Sequence, residues 1–309
     1  MATSVFVFPG QGSQYPGMGK ELAENFSVAR ETFQEADDAL GFKLSNLCFE
    51  GPEEELKLTT NTQPAILTTS IATLRVVAKE TGLTPAFLAG HSLGEYSALV
   101  AAGGLAFSDA VRTVRARGAF MQEAVPVGVG AMAAILGVEV SVLLEICTEA
   151  AQGEVVAPAN FNSPGQIVIA GHASAVGRAI EIAKARGFRK AMLLPVSAPF
   201  HCSLMEPAGK RLAETLATVA VGELGKPVVT NVEALPNGDK ARVKELLVRQ
   251  VSAPVRWEES VLKMAELGGE RFVEIGPGKV LSGLIKRTTK DVETCNVEDV
   301  ASLKALQSL

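Results

Sequence analysis

Aromatic residues are scarce in this sequence. Phe, Trp and Tyr make up 5 % of the 309 residues, with one Trp and two Tyr. Proteins that bind single-stranded nucleic acid stack bases on exposed aromatic rings and usually carry an excess of Lys and Arg. Here 29 Lys and Arg stand against 34 Asp and Glu, which gives a formal net charge of −5. We therefore expect no nucleic-acid partner.

Cysteine is equally sparse. The four cysteines are far apart and include no CxxC pair: Cys48, Cys147, Cys202 and Cys295. This spacing predicts neither a disulfide framework nor a zinc site. Isolated thiols fit a reducing compartment, so a cytoplasmic location is expected.

Long apolar runs and targeting signals are also missing. No basic residue precedes Lys20, which disfavours a signal peptide. Pro, Gly, Asn or Thr interrupt the longer uncharged stretches, which are 58–74, 124–138 and 155–177. None of them reads as a membrane span, and no membrane partner is expected.

The composition does supply a core, since 47 % of the residues are hydrophobic and the mean hydropathy is +0.23. Residues 4–8 (SVFVF) predict a buried strand, and 85–104 predict a strand, a tight turn and a helix. Helical spacing over 18–40 and 63–80 places helices between these strands. Strands that alternate with helices are typical of parallel βαβ units, so we expect an α/β core with a parallel sheet.

A different order of elements occupies residues 130–197. Strand and helix patterns follow one another there as βαββαβ, which is the ferredoxin-like plan. We interpret residues 129–197 as a subdomain that is inserted into a core formed by 1–128 and 198–309. A cleft between the core and the insert is the expected ligand site.

Gly90-His91-Ser92-Leu93-Gly94 matches the GxSxG pattern of a nucleophile elbow. The serine follows an apolar strand and opens a predicted helix, which is the context that an elbow requires. An ordinary turn with an N-capping serine is the alternative. We favour Ser92 as a nucleophile.

A nucleophilic serine needs a base, and the chain has three histidines. His91 adjoins Ser92 on a tight turn and should point elsewhere, while His172 lies at a turn where a solvated ring is expected. His201 stands where the insert returns to the core, so it is the predicted base. No Asp or Glu completes a triad in the order Ser, acid, His. A backbone carbonyl or an amide side chain is therefore expected to orient the imidazole.

Two features stay open on the residues alone. The loop at 8–14 (FPGQGSQ) lacks the third glycine of a dinucleotide fingerprint. It is either a plain turn or a source of N–H groups for an oxyanion hole. Arg117 either solvates a helix face or grips a substrate carboxylate.

Eight segments, in order along nearly the whole chain, resemble the malonyl-CoA:acyl carrier protein transacylase family. They are FPGQGSQ (8–14), NTQPA (61–65), GHSLGEYSAL (90–99), RGxxM (117–121), NFNSPGQIVIAG (160–171), PVSAPFH (195–201), QVSAPVRW (250–257) and EIGPG (274–278). The resemblance is to the stand-alone bacterial enzyme of type II fatty-acid synthesis. It implies an α/β-hydrolase-like core that carries a ferredoxin-like insert, in agreement with the elements above.

The resemblance also implies the catalytic residues. Ser92 would take the malonyl group as an ester, with His201 as its general base. Gln11 and Leu93 would donate backbone N–H groups to the oxyanion. Gln250 would orient the histidine through an amide or a main-chain carbonyl, which accounts for the missing acid.

The substrate-binding residues that the resemblance implies are Arg117, Met121 and Phe200. Arg117 would bind the free carboxylate, and Phe200 matches malonyl-type members of the family. The implied reaction is ping-pong transfer of a malonyl group from malonyl-CoA to the phosphopantetheine thiol of acyl carrier protein. No metal and no resident cofactor is implied, and a monomer is expected.

Three alternatives use overlapping motifs. A serine esterase or thioesterase would have the same elbow and histidine but no need of a buried cation such as Arg117. A trans-acting acyltransferase of a polyketide pathway is the nearest alternative. A non-catalytic carrier-binding scaffold would need neither Ser92 nor His201.

Docking of the carrier protein poses an electrostatic question. Acyl carrier proteins are typically acidic, and this chain is itself negative, so bulk attraction cannot guide the encounter. We expect a local basic patch near the cleft mouth. The candidates are Arg186, Arg189 and Lys190 on the insert, or Lys286 and Arg287 near the C-terminus.

Overall fold

The computed structural model describes residues 2–196 and 198–309. Met1 and Ser197, the last residue of the predicted subdomain, lie outside the described residues. The strands, in chain order, are β1 (Ser4–Phe8), β2 (Phe87–Gly90), β3 (Gly130–Leu136), β4 (Val156–Ser163), β5 (Gln166–His172), β6 (Ala191–Leu193), β7 (Val228–Val229), β8 (Pro236–Asn237), β9 (Val255–Arg256), β10 (Arg271–Ile275) and β11 (Glu293–Val297).

Fourteen α-helices lie within the described residues. They are α1 (Lys20–Asn25), α2 (Ser27–Leu40), α3 (Leu44–Glu50), α4 (Glu53–Lys57), α5 (Thr59–Thr81), α6 (Gly94–Ala101), α7 (Phe107–Glu123), α8 (Val140–Ala151), α9 (Ala173–Ala185), α10 (Glu206–Ala217), α11 (Val243–Ser252), α12 (Trp257–Glu266), α13 (Val280–Thr288) and α14 (Val300–Gln307). In this described part of the chain, no helix is both long and apolar enough to cross a membrane.

The larger sheet has six strands in the order β11-β10-β1-β2-β7-β8. All neighbours are parallel except the last pair. Strand β1 lies in the middle, where Val5 pairs with both Phe87 and Phe272. All five residues of β1 are buried, because helices cover both faces of a parallel sheet. The apolar run SVFVF therefore predicted its central place correctly.

The smaller sheet has five strands in the order β6-β3-β5-β4-β9. Its first four strands are antiparallel and, with α8 and α9, follow the predicted βαββαβ order. An apolar cluster of its own fills the space between these helices and the sheet. The mixed α/β fold with a ferredoxin-like subdomain is thus confirmed.

One strand of the smaller sheet comes from the larger part of the chain. Strand β9 pairs in parallel with β4, with Asn160 opposite Val255. Sequence reasoning did not anticipate this strand, because two residues carry no readable alternation. The domain boundaries at 129 and 197 stay a prediction.

Two predicted elements are shorter than expected. The helix predicted over 18–40 is divided into α1 and α2 at Phe26, whose backbone is extended and whose N–H closes α1 on the Leu22 carbonyl. The last strand of the predicted βαββαβ order is reduced to the three residues of β6. The residues after it turn toward the cleft, where Leu194 and Val196 line a cavity.

Candidate active site

The site lies where β1, β2 and β7 end. The carboxyl ends of parallel strands meet at one edge of a sheet, which is where open α/β folds bind ligands. Gln11 follows β1, Ser92 follows β2 and Asn231 follows β7. A cavity of about 170 Å³ opens there between the two sheets, lined by Gln11, Gln63, His91, Ser92, Met121, Met132, Asn160, Asn162, Val168, Leu194, Val196, Phe200 and His201.

Ser92 sits on a sharp turn between β2 and α6, with φ at 51°. The two glycines of the motif are required by close backbone approach. A Cβ on Gly90 would lie 1.9 Å from the carbonyl carbon of Gly94, and a Cβ on Gly94 would lie 2.2 Å from the carbonyl oxygen of Phe8. This is the strained strand-to-helix turn of a nucleophile elbow, which exposes the serine oxygen above the sheet.

His201 faces this oxygen. Its Nε2 lies 2.7 Å from Ser92 Oγ, and its Nδ1 lies 2.8 Å from the main-chain oxygen of Gln250. A carbonyl only accepts hydrogen bonds, so Nδ1 carries the proton and Nε2 is left to accept one from the serine. Burial, together with the nearby positive charge of Arg117, lowers the pKa of His201 to about 3. The imidazole is therefore neutral at physiological pH, as a general base must be.

The contact that orients His201 is a main-chain carbonyl and not an acid. No carboxylate of a described residue hydrogen-bonds to the imidazole. The expected alternatives were a backbone carbonyl and an amide side chain. The structure has the main-chain carbonyl of Gln250 at Nδ1 of His201, and the side chain of Gln250 bonds to other groups. Its Nε2 donates to the Glu95 carboxylate at 2.8 Å and to the Ser92 carbonyl at 3.0 Å, and its Oε1 accepts from Arg117 at 2.9 Å.

Arg117 is buried beside the serine. It lies inside α7, which packs so closely on α5 at Gly118 that a Cβ there would lie 2.6 Å from the Thr59 carbonyl oxygen. Its side chain is 1 % exposed and donates to Ser92 Oγ at 3.1 Å and to Gln63 Oε1 at 2.8 Å. No described carboxylate forms an ion pair with it, and its Nε has no partner among the described residues.

The two residues predicted to form the oxyanion hole flank the nucleophile. Gln11 lines the cavity, and Leu93 precedes α6 at the amino end of that helix. The N–H of Ser92 itself is occupied, since it donates to Asn231 Oδ1 at 2.7 Å. Among the described residues, no acceptor bonds to the N–H of Gln11 or of Leu93. Their role as donors stays a prediction.

Met121 and Phe200 both line the cavity. Met121 is 1 % exposed and its sulfur lies 3.8 Å from Gln63 Nε2, while Phe200 is 8 % exposed. The structure thus brings all eight predicted site residues around one cavity or directly behind it. Their contributions to binding and catalysis stay predictions.

The other two histidines are held by structural contacts. His91 does point away from the serine, as expected, and its Nε2 lies 2.8 Å from Asn162 Oδ1. Burial lowers the pKa of His91, which keeps it neutral. His172 was expected to be solvated, but its Nδ1 accepts the Val155 N–H at 2.9 Å. Its ring therefore ties the end of β5 to the residue that precedes β4.

Sequence reasoning missed three buried polar residues of the site. Asn231 accepts the Ser92 N–H and donates to the Gly90 carbonyl at 2.7 Å, so it holds the elbow from the neighbouring strand. Glu95 accepts from Gln250, and Gln63 accepts from Arg117. Glu95 stands next to the GxSxG motif, which gave a signal for it. Gln63 likewise lies in NTQPA (61–65), one of the segments that carry the family resemblance. Nothing local marks Asn231, because its partners are distant in sequence.

Comparison with known proteins identifies the family of this chain. The family model described as "Acyl transferase domain" matches residues 5–306. The chain belongs to the acyl transferase family. A nucleophilic serine with a histidine partner is the arrangement that acyl transfer through a covalent ester requires.

Similar acyltransferases match over their full length. The chain is 52 % identical to a malonyl CoA-acyl carrier protein transacylase of Bacillus subtilis, covering 100 % of this chain and 98 % of the relative. It is 50 % identical to the protein of that name from Escherichia coli K12, with both chains fully covered. A malonyl-transacylase solved in complex with its type II PKS acyl-carrier protein is 48 % identical, with a TM-score of 0.97 and 99 % of each chain covered.

We expect an organofluorophosphonate probe, which reacts with activated serines, to label Ser92 of this acyltransferase. His201→Ala should slow labelling about 10²- to 10⁴-fold, the usual contribution of a general base. His172→Ala, the matched control, should change it little, because that ring only accepts a backbone N–H. Peptide mass spectrometry against time measures both rates. Equal losses in the two variants would remove His201 from the role of base.

Proposed function

We propose that this acyltransferase moves the malonyl group of malonyl-CoA to the phosphopantetheine thiol of an acyl carrier protein, and so supplies malonyl units for fatty-acid synthesis. Full-length relatives at about half identity carry the transacylase name. The Ser92–His201 pair supports transfer through a serine ester. The names of the relatives and the Ser92–His201 pair together support the type of reaction and the class of acyl donor.

The observation that carries the choice of acyl group is the state of Arg117. A buried charge is normally paired, yet the partners of this guanidinium are the neutral Gln63, Ser92 and Gln250. A malonyl ester on Ser92 ends in a carboxylate two carbons beyond the ester carbon. That carboxylate would come within reach of a guanidinium that already contacts Oγ. An esterase for neutral acyl groups has no use for such a cation.

The first half-reaction acylates the enzyme. Ser92 Oγ attacks the thioester carbonyl of malonyl-CoA, and His201 Nε2 accepts the serine proton. The N–H groups of Gln11 and Leu93 stabilise the oxyanion. The tetrahedral intermediate collapses as the C–S bond breaks, and His201 returns the proton to the departing sulfur of coenzyme A.

The second half-reaction reverses these steps with another thiol. The phosphopantetheine thiol of the carrier gives its proton to His201 and attacks the ester carbonyl. The C–O bond to Ser92 breaks, and Oγ recovers the proton from His201. The carbonyl of Gln250 keeps the imidazole in one orientation through both halves.

We propose further that the enzyme works as a cytoplasmic monomer, without metal or resident cofactor and without nucleic-acid or membrane partners. The steps above require only the side chains named and the two substrates. Four free cysteines support a reducing compartment.

A polyketide pathway is the second candidate. It is favoured by the likeness to the malonyl-transacylase that was solved with a type II PKS acyl-carrier protein. The chemistry at Ser92 is identical in the two cases. Only the carrier protein differs, so relative kcat/KM values for the two kinds of carrier decide between them.

Mixing the enzyme with malonyl-CoA should give a malonyl adduct on the Ser92 peptide in an intact-mass and peptide-mapping experiment. Addition of the carrier protein should remove the adduct and transfer its mass to phosphopantetheine. Ser92→Ala should form no adduct and transfer nothing, while its thermal unfolding stays close to wild type. Normal transfer by Ser92→Ala would refute the nucleophile assignment.

Arg117→Ala should change the preferred acyl group rather than abolish turnover. A hydrogen bond to a charged partner contributes about 1.5–3 kcal/mol, which at about 1.36 kcal/mol per decade is a ten- to more than hundredfold loss in kcat/KM for malonyl-CoA. The uncharged acetyl group loses no such bond, so acetyl-CoA should be accepted relatively better. Measured kcat/KM values for both thioesters give the ratio. An unchanged malonyl-to-acetyl ratio would remove Arg117 from carboxylate binding.

The cations of the two candidate docking clusters differ in their ion pairs. In the insert, Arg186 is neutralised locally by ion pairs with Glu145 and Glu149 at 3.0 and 2.6 Å, whereas Arg189 and Lys190 form none with a described residue. Lys286 and Arg287 lie in the last turn of α13 and form no ion pair with a described residue.

Helix α13 also borders the cleft. Its residues Val280, Leu281 and Leu284 line a second cavity of about 150 Å³, which adjoins the first at Gln11 and His91. Near the end of this helix, Arg287 donates to the side chain of Gln166, which lines the same cavity. Lys286 and Arg287 are therefore close to the second cavity. This placement favours Lys286 and Arg287 as the docking cluster.

Charge reversal at Lys286 and Arg287 together should raise the KM for the carrier protein and leave acylation by malonyl-CoA unchanged. Arg186→Glu is the matched control, and it should affect neither substrate much because its charge is already paired. Steady-state kinetics with each substrate varied measure both effects. A larger carrier KM for Arg186→Glu than for the double variant would assign docking to the insert.

A further inference from the structure

Glu95 is a buried carboxylate beside the site for which the reaction steps above give no role. It lies in the first turn of α6 and is 2 % exposed. Its carboxylate accepts from Gln250 Nε2 at 2.8 Å and from the Asn231 N–H at 2.9 Å. A carboxylate is rarely buried unless its charge is compensated, so the origin of that compensation matters.

Arg117 compensates the negative charge of Glu95 through the side-chain amide of Gln250. The side chain of Gln250 donates from Nε2 to Glu95 and accepts at Oε1 from Arg117 Nη2 at 2.9 Å. A carboxylate only accepts and a guanidinium only donates, so these two charges dictate the orientation of the amide. Glu95 and Arg117 are thus the negative and positive ends of a single hydrogen-bonded chain.

The groups around this chain add no other charge. Tyr96, on the same helix, is un-ionised because burial raises the pKa of its hydroxyl. Asn231 and Gln250 approach from the elements after β7 and on α11, and both are neutral. His201 stays neutral because burial lowers its pKa to about 3. In the empty enzyme, Glu95 is therefore the one anion that acts on Arg117 in this cluster.

A malonyl ester changes this balance. Its carboxylate would be a second anion beside one cation, next to side chains that are buried. Burial already raises the pKa of Glu95 to about 7, although hydrogen bonds from Asn231 and Gln250 and the charge of Arg117 oppose the rise. The malonyl carboxylate would compete with Glu95 for Arg117 and would repel its negative charge. Both effects raise the pKa of Glu95 further.

We propose, on the basis of the proposed malonyl transfer, that Glu95 is a replaceable counter-charge for Arg117. Above about pH 7 it is ionised when the site is empty, and it takes up a proton when the malonyl carboxylate binds the guanidinium. The ester forms as Ser92 Oγ bonds to the malonyl carbon and coenzyme A leaves as its thiol. The additional proton comes from solvent and ends on the Glu95 carboxyl group. Glu95 is a positioning residue in this scheme, since it acts through Gln250 and Arg117.

Proton uptake makes the acylation equilibrium depend on pH. A group whose pKa is higher in the malonyl enzyme favours that form at low pH. The equilibrium constant for malonylation should rise as the pH falls through the pKa of Glu95 in the malonyl enzyme. It should level off below about pH 7, with about a tenfold rise for each unit between the two pKa values. An acetyl group carries no charge and should give no such rise.

The test is the fraction of acylated enzyme at a fixed ratio of acyl-CoA to coenzyme A, measured by intact mass between about pH 6 and pH 8.5. Wild type should show the rise with malonyl-CoA, and Glu95→Gln should not. Glu95→Asp, which keeps a carboxyl group, should restore it. Ionisation of coenzyme A is common to every sample and cancels in these comparisons.

Glu274→Gln is the matched control. Glu274 is another fully buried carboxylate whose pKa burial raises, but it accepts from the Leu281 and Ser282 N–H groups at the start of α13. This variant should keep the pH dependence of wild type. Loss of the rise in Glu274→Gln as well as in Glu95→Gln would overturn the assignment to Glu95.

Equal pH dependence in wild type and Glu95→Gln would overturn the inference while leaving the proposed transfer intact. If Glu95→Gln does not fold, the wild type decides alone, and equal slopes for malonyl and acetyl groups would refute the proposal. Absence of any malonyl adduct would instead overturn the proposed transfer, and this inference with it.

Discussion

The site depends on one residue that is bonded through both its main chain and its side chain. Gln250 holds the imidazole of His201 with its carbonyl and the guanidinium of Arg117 with its side-chain oxygen. Its Nε2 also reaches the Ser92 carbonyl. Hydrogen bonds are electrostatically stronger inside a protein than in water, so these buried contacts hold their partners firmly. His201, Arg117 and Ser92 are therefore held relative to one another by a single residue of α11.

These contacts matter because the backbones of Ser92 and His201 are strained. Ser92 and His201 have φ values of 51° and 60°, and a non-glycine residue in this region costs of the order of 1–3 kcal/mol. Asn231 holds the elbow by accepting the Ser92 N–H, while the Gln250 carbonyl holds the imidazole. The surrounding network offsets the strain, which keeps Oγ and Nε2 at hydrogen-bond distance before substrate arrives.

The sequence predicted those features that depend on residues close together in the chain. The buried run of β1, the βαββαβ order and the elbow at Ser92 each follow from spacing within one segment, and the scarcity of histidine left His201 by elimination. Asn231 and strand β9 could not be found in this way, because each is defined by a partner that only the folded chain brings near. The choice between carbonyl and amide at His201 stayed open for the same reason. It depends on how α11 is rotated against the cleft.

The missing triad acid has an electrostatic explanation. In a triad, a carboxylate at Nδ1 orients the imidazole and stabilises its charged form. An enzyme that binds an anionic acyl group within reach of the same histidine would place two negative charges in one buried site, where like charges repel strongly. A carbonyl orients the ring without adding charge. Among the described residues, the carboxylate in this network is Glu95, which is set one amide away from Arg117. Arg117 is thus left without a direct ion pair among the described residues, which is what the proposed binding of a substrate carboxylate needs.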